Sequence, residues 1–101
     1  MKLLTKELEE KFKKVGTAKE DPLVIAKFFT PMSNWTWYAI SYVSKTKIFF
    51  GYVCGMENEF GYFSLQELEE INKDKSTIQN VERDIWFEPD RLSVVLKREN
   101  K

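Results

Sequence analysis

Trp35-Thr36-Trp37-Tyr38-Ala39-Ile40-Ser41-Tyr42-Val43 and Lys47-Ile48-Phe49-Phe50-Gly51-Tyr52-Val53-Cys54, joined by Ser44-Lys45-Thr46, decide the fold. Both runs are rich in aromatic and β-branched residues, which suit a pleated, half-buried surface. The short polar connection makes them neighbours in an antiparallel hairpin. Positions 21–56 carry only Asp21, Lys27, Lys45 and Lys47 as charges. The middle of the chain is therefore the sheet, and the charged flanks are mostly helices and ends.

Upstream, Leu23–Phe29 reads as a strand, with Val24, Ala26 and Phe28 on one face and Leu23, Ile25, Lys27 and Phe29 on the other. Pro22 biases Asp21 away from helix, and Pro31 and Asn34 mark the turn into the next strand. Before it, Leu4, Leu8, Phe12 and Val15 share one face of a helix over Lys6–Val15, with Thr5 as N-cap. Glu7, Glu9 and Glu10 precede Lys11, Lys13 and Lys14, the order the helix dipole favours, and Gly16 suits a left-handed C-terminal residue.

Downstream, a turn at Gly55–Asn58 leads to a fourth strand, Glu59–Phe63. Ser64 and Glu67 form an S-x-x-E capping box, with Phe63 and Leu68 as the hydrophobic staple, so a second helix starts there and ends near Asn72. A polar loop over 73–80 precedes a fifth strand within Val81–Glu88, centred on Ile85, Trp86 and Phe87 and stopped by Pro89. Leu92, Val95 and Leu96 suit a last helical segment capped by Asp90, while Val94 and Val95 leave a sixth strand open. The expected fold is α+β: an antiparallel β-meander of about five strands, either open or curled into a partial barrel. An N-terminal helix and a capped helix after strand 4 complete it.

Composition narrows the functional classes. One hundred and one residues suit a single domain, 1–101. With 43% hydrophobic and 15% aromatic residues, the chain has the material for a core. It has no histidine and one cysteine, which excludes a His-based triad, a His-ligated zinc, an intrachain disulfide and a Cys-only zinc site. Cys54 has no histidine to activate it, and a lone thiol suits a reducing compartment. The charged N-terminus and the lack of an unbroken apolar stretch point to the cytoplasm, with no membrane association. Sixteen basic and sixteen acidic residues cancel, which argues against a non-specific grip on duplex DNA. Gly51, Gly55 and Gly61 do not form a phosphate-binding loop.

Several stretches together resemble a known family. They are Met1-Lys2-Leu3-Leu4-Thr5-Lys6-Glu7-Leu8, Lys27-Phe28-Phe29-Thr30-Pro31, Ser33-Asn34-Trp35-Thr36-Trp37-Tyr38, Phe49-Phe50-Gly51, Gly61-Tyr62-Phe63-Ser64-Leu65 with Glu67-Leu68, and Glu82-Arg83-Asp84 before Trp86-Phe87. Over nearly its whole length the chain is similar to bacterial domain of unknown function 2958. The resemblance implies a small bacterial protein often carried by phages, plasmids and other mobile elements. It brings no activity, cofactor or site. The family often has another apolar residue where Cys54 stands, which implies that the thiol is not essential chemistry.

Candidate site residues follow from the aromatics. Trp35 and Trp37 point to one side of their strand, while Tyr38, Ile40 and Tyr42 point to the other. Phe28 opposes Phe29, and Phe49 opposes Phe50, in the same way. Two short helices cover one side of such a sheet, so on the other side either the C-terminal segment folds over the surplus rings, the sheet curls into a partial barrel, or a partner covers them. Asn34, Trp35, Trp37, Tyr38 and Trp86 are the candidate binding residues, against the plainer reading in which the Trp pair anchors the core. The expected partner is a protein or a second copy. The alternatives are a single-stranded nucleic acid stacked on the same rings and a small enzyme built on Glu82, Asp84 and Glu88 along one strand face. Neither a cofactor nor a metal site is implied.

Overall fold

The computed structural model of the chain describes residues 2–14, 20–73 and 80–101. Helix α1, Lys6–Lys14, starts where Thr5 receives the Leu8 amide on Oγ1 at 3.2 Å and the Glu9 amide on its carbonyl at 2.9 Å. It buries Leu8 and Phe12. The expected Val15 end and Gly16 cap lie outside the described residues.

A four-strand antiparallel meander follows: β2 Ala26–Phe29, β3 Thr36–Val43, β4 Ile48–Cys54 and β5 Asn58–Ser64. It is preceded by the two-residue strand β1, Leu23–Val24. Helix α2, Leu65–Lys73, then starts at the expected cap, with the Glu67 amide donating to Ser64 Oγ at 3.0 Å. Strand β6, Glu82–Arg83, returns beside β2 and completes a five-stranded sheet in the order β5-β4-β3-β2-β6. The sheet is open, with β5 and β6 at its edges, and does not curl into a barrel. Strand β7, Asp90–Arg91, pairs with β1, and α3, Leu92–Arg98, is the last helix.

Three sequence-based expectations shift in phase or extent. The first strand breaks at Ile25, whose amide donates to the Ala39 carbonyl at 2.8 Å. Val24 consequently packs with α3, whereas Ile25, Ala26 and Phe28 all join the core under α1 and α2. In β3 the register jumps from Ala39↔Gly51 to Ser41↔Phe50, which makes Ile40 a bulge. The bulge turns Tyr42 onto the side of Trp37 and Ala39, so Tyr42 does not stay with Tyr38 and Ile40 as strict alternation requires. The fifth strand shrinks to Glu82–Arg83. Asp84 Oδ1 accepts the Trp86 amide at 3.0 Å and the Asp84 carbonyl accepts that of Phe87 at 3.2 Å, folding Ile85 and Trp86 into a turn.

C-terminal helix is the outcome for the last segment, although Asp90 does not cap it. Asp21, far upstream, receives the Ser93 amide at 2.9 Å and the Ser93 hydroxyl at 2.6 Å. The two carboxylate oxygens thus satisfy one of the orphan amides of the first turn from a remote segment.

Two cores result. Leu3, Leu4, Leu8 and Phe12 meet Phe28, Trp37, Phe49, Phe63 and Leu68 beneath α1 and α2. The Phe49 ring is central, at 5.8 Å from Phe12, 5.4 Å from Phe28, 4.6 Å from Tyr42 and 5.1 Å from Phe63. On the opposite face, α3 lays Leu92 and Val95 over Val24, Tyr38, Ile40 and Cys54.

Candidate functional site

The cross-strand register places Phe50 and Tyr52 of β4 on the α3 face, together with Phe60 and Tyr62 of β5. Phe50 pairs with Tyr62 and Tyr52 with Phe60, at centroid separations of 5.1 Å each. Phe50 also stacks on Phe60 at 5.9 Å and 4°. Helix α3 covers the β2–β3 half of this face and reaches Phe50 and Tyr52, which are half-buried. Beyond it, Phe60 is 50% exposed and Tyr62 77%. A ladder of four rings thus rises out of the core onto an open edge strand. Ring pairs at this spacing are mutually attractive and form a rigid apolar surface.

Of the five sequence candidates, Trp35 and Trp37 come together as a stacked pair, and Tyr38 lies opposite the ladder residue Tyr52, while Asn34 and Trp86 stand apart. Asn34 is exposed in the turn after β2. Thr30 and Ser33 hold that turn: their hydroxyls bond each other, and the Thr30 amide donates to the Trp35 carbonyl at 3.1 Å. Trp35 is 39% exposed and stacks on buried Trp37 at 5.8 Å and 24°, on the same side as expected. Its ring lies over Gly55, where an added Cβ would come within 2.4 Å of Trp35 Cζ3. Tyr38 is on the other face, fully buried, with its hydroxyl donating to Glu99 Oε1 at 2.8 Å. Trp86, 86% exposed, occupies the turn after β6, at the sheet edge opposite β5.

Beside the Trp pair, Trp35, Val53, Met56, Glu57 and Glu59 line an open cavity of about 400 Å³. It offers an indole face with two carboxylates at its rim. The acidic set proposed around the fifth strand is dispersed by the turn at Ile85–Trp86. Asp84 faces Lys27 at 3.8 Å, while Glu88 is exposed and its carbonyl accepts Arg98 Nη2 at 2.9 Å. Among the described residues, no group of three or more Cys, Asp and Glu side chains is arranged to hold a metal ion.

Cys54 is buried among Val24, Tyr38 and Ile40 beneath α3, and that burial pushes its thiol up from its usual value. Burial first, and the Glu99 hydrogen bond second, push the Tyr38 phenol well above the usual tyrosine range. Lys27 Nζ meets the same Glu99 oxygen at 2.6 Å. The Tyr38–Glu99–Lys27 set pins α3 to the sheet. Sequence reasoning missed it. Its signal was Lys27, the lone charge in an apolar strand, with a carboxylate supplied from the far end of the chain. The ladder was missed as a unit, although Phe50/Tyr52 and Phe60/Tyr62 are i, i+2 pairs in adjoining strands.

Among the described residues, no helix is long and apolar enough to cross a membrane. The chain belongs to the family described as Protein of unknown function (DUF2958), whose model matches residues 2–100. Comparison with curated proteins and with solved structures gave no match.

Proposed function

We propose that this member of the family is a small protein-binding or regulatory module whose working surface is the Phe50–Tyr52–Phe60–Tyr62 ladder. The observation that carries this reading is the exposure of Phe60 and Tyr62 on a sheet face whose other half is covered by α3. Contiguous exposed rings on a rigid strand are the composition of interface cores, where Tyr and Phe are enriched and Lys and Glu depleted. The other positions on this face of β4 and β5 include Ile48, Asn58 and Ser64, none of them basic. That favours a protein over a single-stranded nucleic acid, whose backbone needs cations beside the stacking rings. A setting in bacterial mobile DNA and in the cytoplasm follows from the sequence resemblance and the lone thiol.

The test compares the wild type with Phe60→Ser/Tyr62→Ser. A photo-crosslinker at position 62 should capture a defined protein from the host, and purified partner should then bind the wild type and lose at least tenfold in affinity for the variant. Equal affinity for the two proteins overturns the reading. Salt-dependent binding of a labelled single-stranded oligonucleotide, abolished by the same variant, replaces it with the nucleic-acid alternative.

A further inference from the structure

The outer edge of β5 carries information that the ring ladder alone does not. The Leu65 amide donates to the Lys47 carbonyl at 3.0 Å, and the Gly55 amide to the Glu57 carbonyl at 3.1 Å. These two bonds flank the β4–β5 ladder and set its alternation, because in an antiparallel pair every second residue exchanges both backbone bonds with its partner. Phe49↔Phe63, Gly51↔Gly61 and Val53↔Glu59 are then the bonded pairs. Asn58, Phe60, Tyr62 and Ser64 turn their N–H and C=O groups the other way, toward an edge that no described strand occupies.

Edge strands are ordinarily protected by Pro, by Lys, by a bulge or by shortness. Strand β5 is seven residues long, Asn-Glu-Phe-Gly-Tyr-Phe-Ser, with unbroken register against β4 and neither Pro nor Lys. Its only charge is Glu59. It is a ready template for another strand.

We infer that β5 pairs antiparallel with β5 of a second copy about a dyad at Gly61, joining two five-stranded sheets into one of ten strands. The inference rests on the ladder being a protein-binding surface and names its occupant. In this register Phe60 faces Tyr62 of the second copy and Tyr62 faces its Phe60, through the outward backbone groups. The ladder becomes two rows of four rings, each running Tyr52–Phe60–Tyr62–Phe50 across the dyad. Asn58 meets Ser64, Glu59 meets Phe63 and Gly61 meets Gly61, so no like charges fall directly opposite each other. Beyond Asn58, the turn residue Glu57 falls opposite Leu65 at the start of the second copy's α2, and that copy's Lys47, whose carbonyl accepts the Leu65 amide, lies one strand further in. A slip of one residue would put rings on the wrong face. A slip that centres Tyr62 on itself would leave Phe60 opposite Ser64. Only the Gly61 dyad sets both ladder rings of β5, Phe60 and Tyr62, opposite rings.

The interface is modest. Phe60 and Tyr62 offer roughly 150–250 Å² each when fully buried, and part of that is already covered, so the dimer falls below the standard interface of about 1,600 Å². Micromolar rather than nanomolar association is expected.

Gly61 supplies the test, since an added Cβ there has nothing within 4 Å. Gly61→Lys and Gly61→Glu each set two like charges face to face at the dyad while leaving all four rings in place. Sedimentation of the purified wild type from about 1 μM to 1 mM should show a reversible dimer. Each variant, with unchanged circular dichroism and thermal midpoint, should dimerise at least tenfold more weakly, and an equimolar mixture of the two should recover the association. The amides of Phe60 and Tyr62 should gain hydrogen-exchange protection with concentration, while those of Gly61 and Phe63 are protected throughout. A wild type that is monomeric at 1 mM, or a dimer indifferent to both Gly61 variants, overturns the inference. Either result leaves the heterologous-partner reading standing on its own crosslinking test, because that reading depends on the rings and not on Gly61.

Discussion

The Tyr38 hydroxyl donates to Glu99 Oε1 at 2.8 Å, joining residues 61 apart in the chain, and the same oxygen is met by Lys27 Nζ at 2.6 Å. One carboxylate at the C-terminal end of α3 thus satisfies a fully buried phenol and a largely buried ammonium. Removing Glu99 leaves both without it, and the remaining carboxylate near Lys27, Asp84, is 3.8 Å away. Glu99→Ala should destabilise the fold by about 2–4 kcal/mol. Tyr38→Phe removes only the donor and should cost about 1–2 kcal/mol. Urea titration at neutral pH checks the order; a Tyr38→Phe loss larger than that of Glu99→Ala would contradict it.

The same contact makes stability fall in alkali. The folded-state pKa of Tyr38 is raised, by burial and then by Glu99, above the unfolded value of about 10. The folded state therefore holds this proton more tightly than the unfolded chain does. Its contribution is fully present below about pH 10 and is lost as pH rises beyond it. Tyr42, raised chiefly by burial with Glu9 and Glu69 nearby, adds in the same direction. Unfolding free energy measured from pH 8 to 11.5 should fall less steeply for Tyr38→Phe than for the wild type. Parallel curves would show that the phenol ionises freely in the folded state.

At the acid end the sign reverses. The Ser93 hydroxyl, then the Ser93 amide, hold the Asp21 carboxyl below its usual value, with Arg91 helping. Its contribution is present above the unfolded value of about 3.9 and is lost as pH falls through the lower, folded one. Asp21→Asn should flatten that acid limb and speed amide exchange in the first turn of α3. An unchanged exchange rate at Ser93 would show that α3 does not need this remote anchor.

Most of the meander was legible because its signals are local. Thr5 and Ser64 cap their helices through neighbouring amides, and alternating aromatics marked β3, β4 and β5. What could not be read were events that depend on a distant segment. Asp21 rather than Asp90 serves α3, because a carboxylate brought from the β1 end reaches both the Ser93 amide and its hydroxyl. The Ile40 bulge rotates Tyr42 away from Tyr38, and no residue type at position 40 announces it. For the site, the ring count does not say which rings the C-terminal segment covers and which it leaves. Helix α3 hides Tyr38, and the stacked pair buries Trp37, while the edge position of β5, a property of topology, exposes Phe60 and Tyr62.

Gly51 and Gly61 in the sheet and Gly55 in the turn between β4 and β5 separate cleanly by what surrounds them, which gives a last prediction. At Gly51, opposite the bulge, an added Cβ would lie 2.1 Å from the Tyr38 carbonyl oxygen, a backbone atom that cannot move without breaking the β3–β4 ladder. Gly51→Ala should therefore cost about 3 kcal/mol or more, at the upper end of overpacking effects. At Gly55 the obstacle is the Trp35 ring, 2.4 Å away but belonging to a half-exposed side chain. Gly55→Ala should be tolerated at about 1–2 kcal/mol, with the indole swung outward and the Trp fluorescence red-shifted. Gly61→Ala meets no atom within 4 Å and should leave the midpoint of denaturation within error of the wild type. Denaturation of the three variants side by side checks the ranking. A Gly51→Ala protein as stable as Gly61→Ala would mean that the bulge at Ile40 relaxes freely, and Tyr42 would then lose its reason to face Phe12 and Phe49.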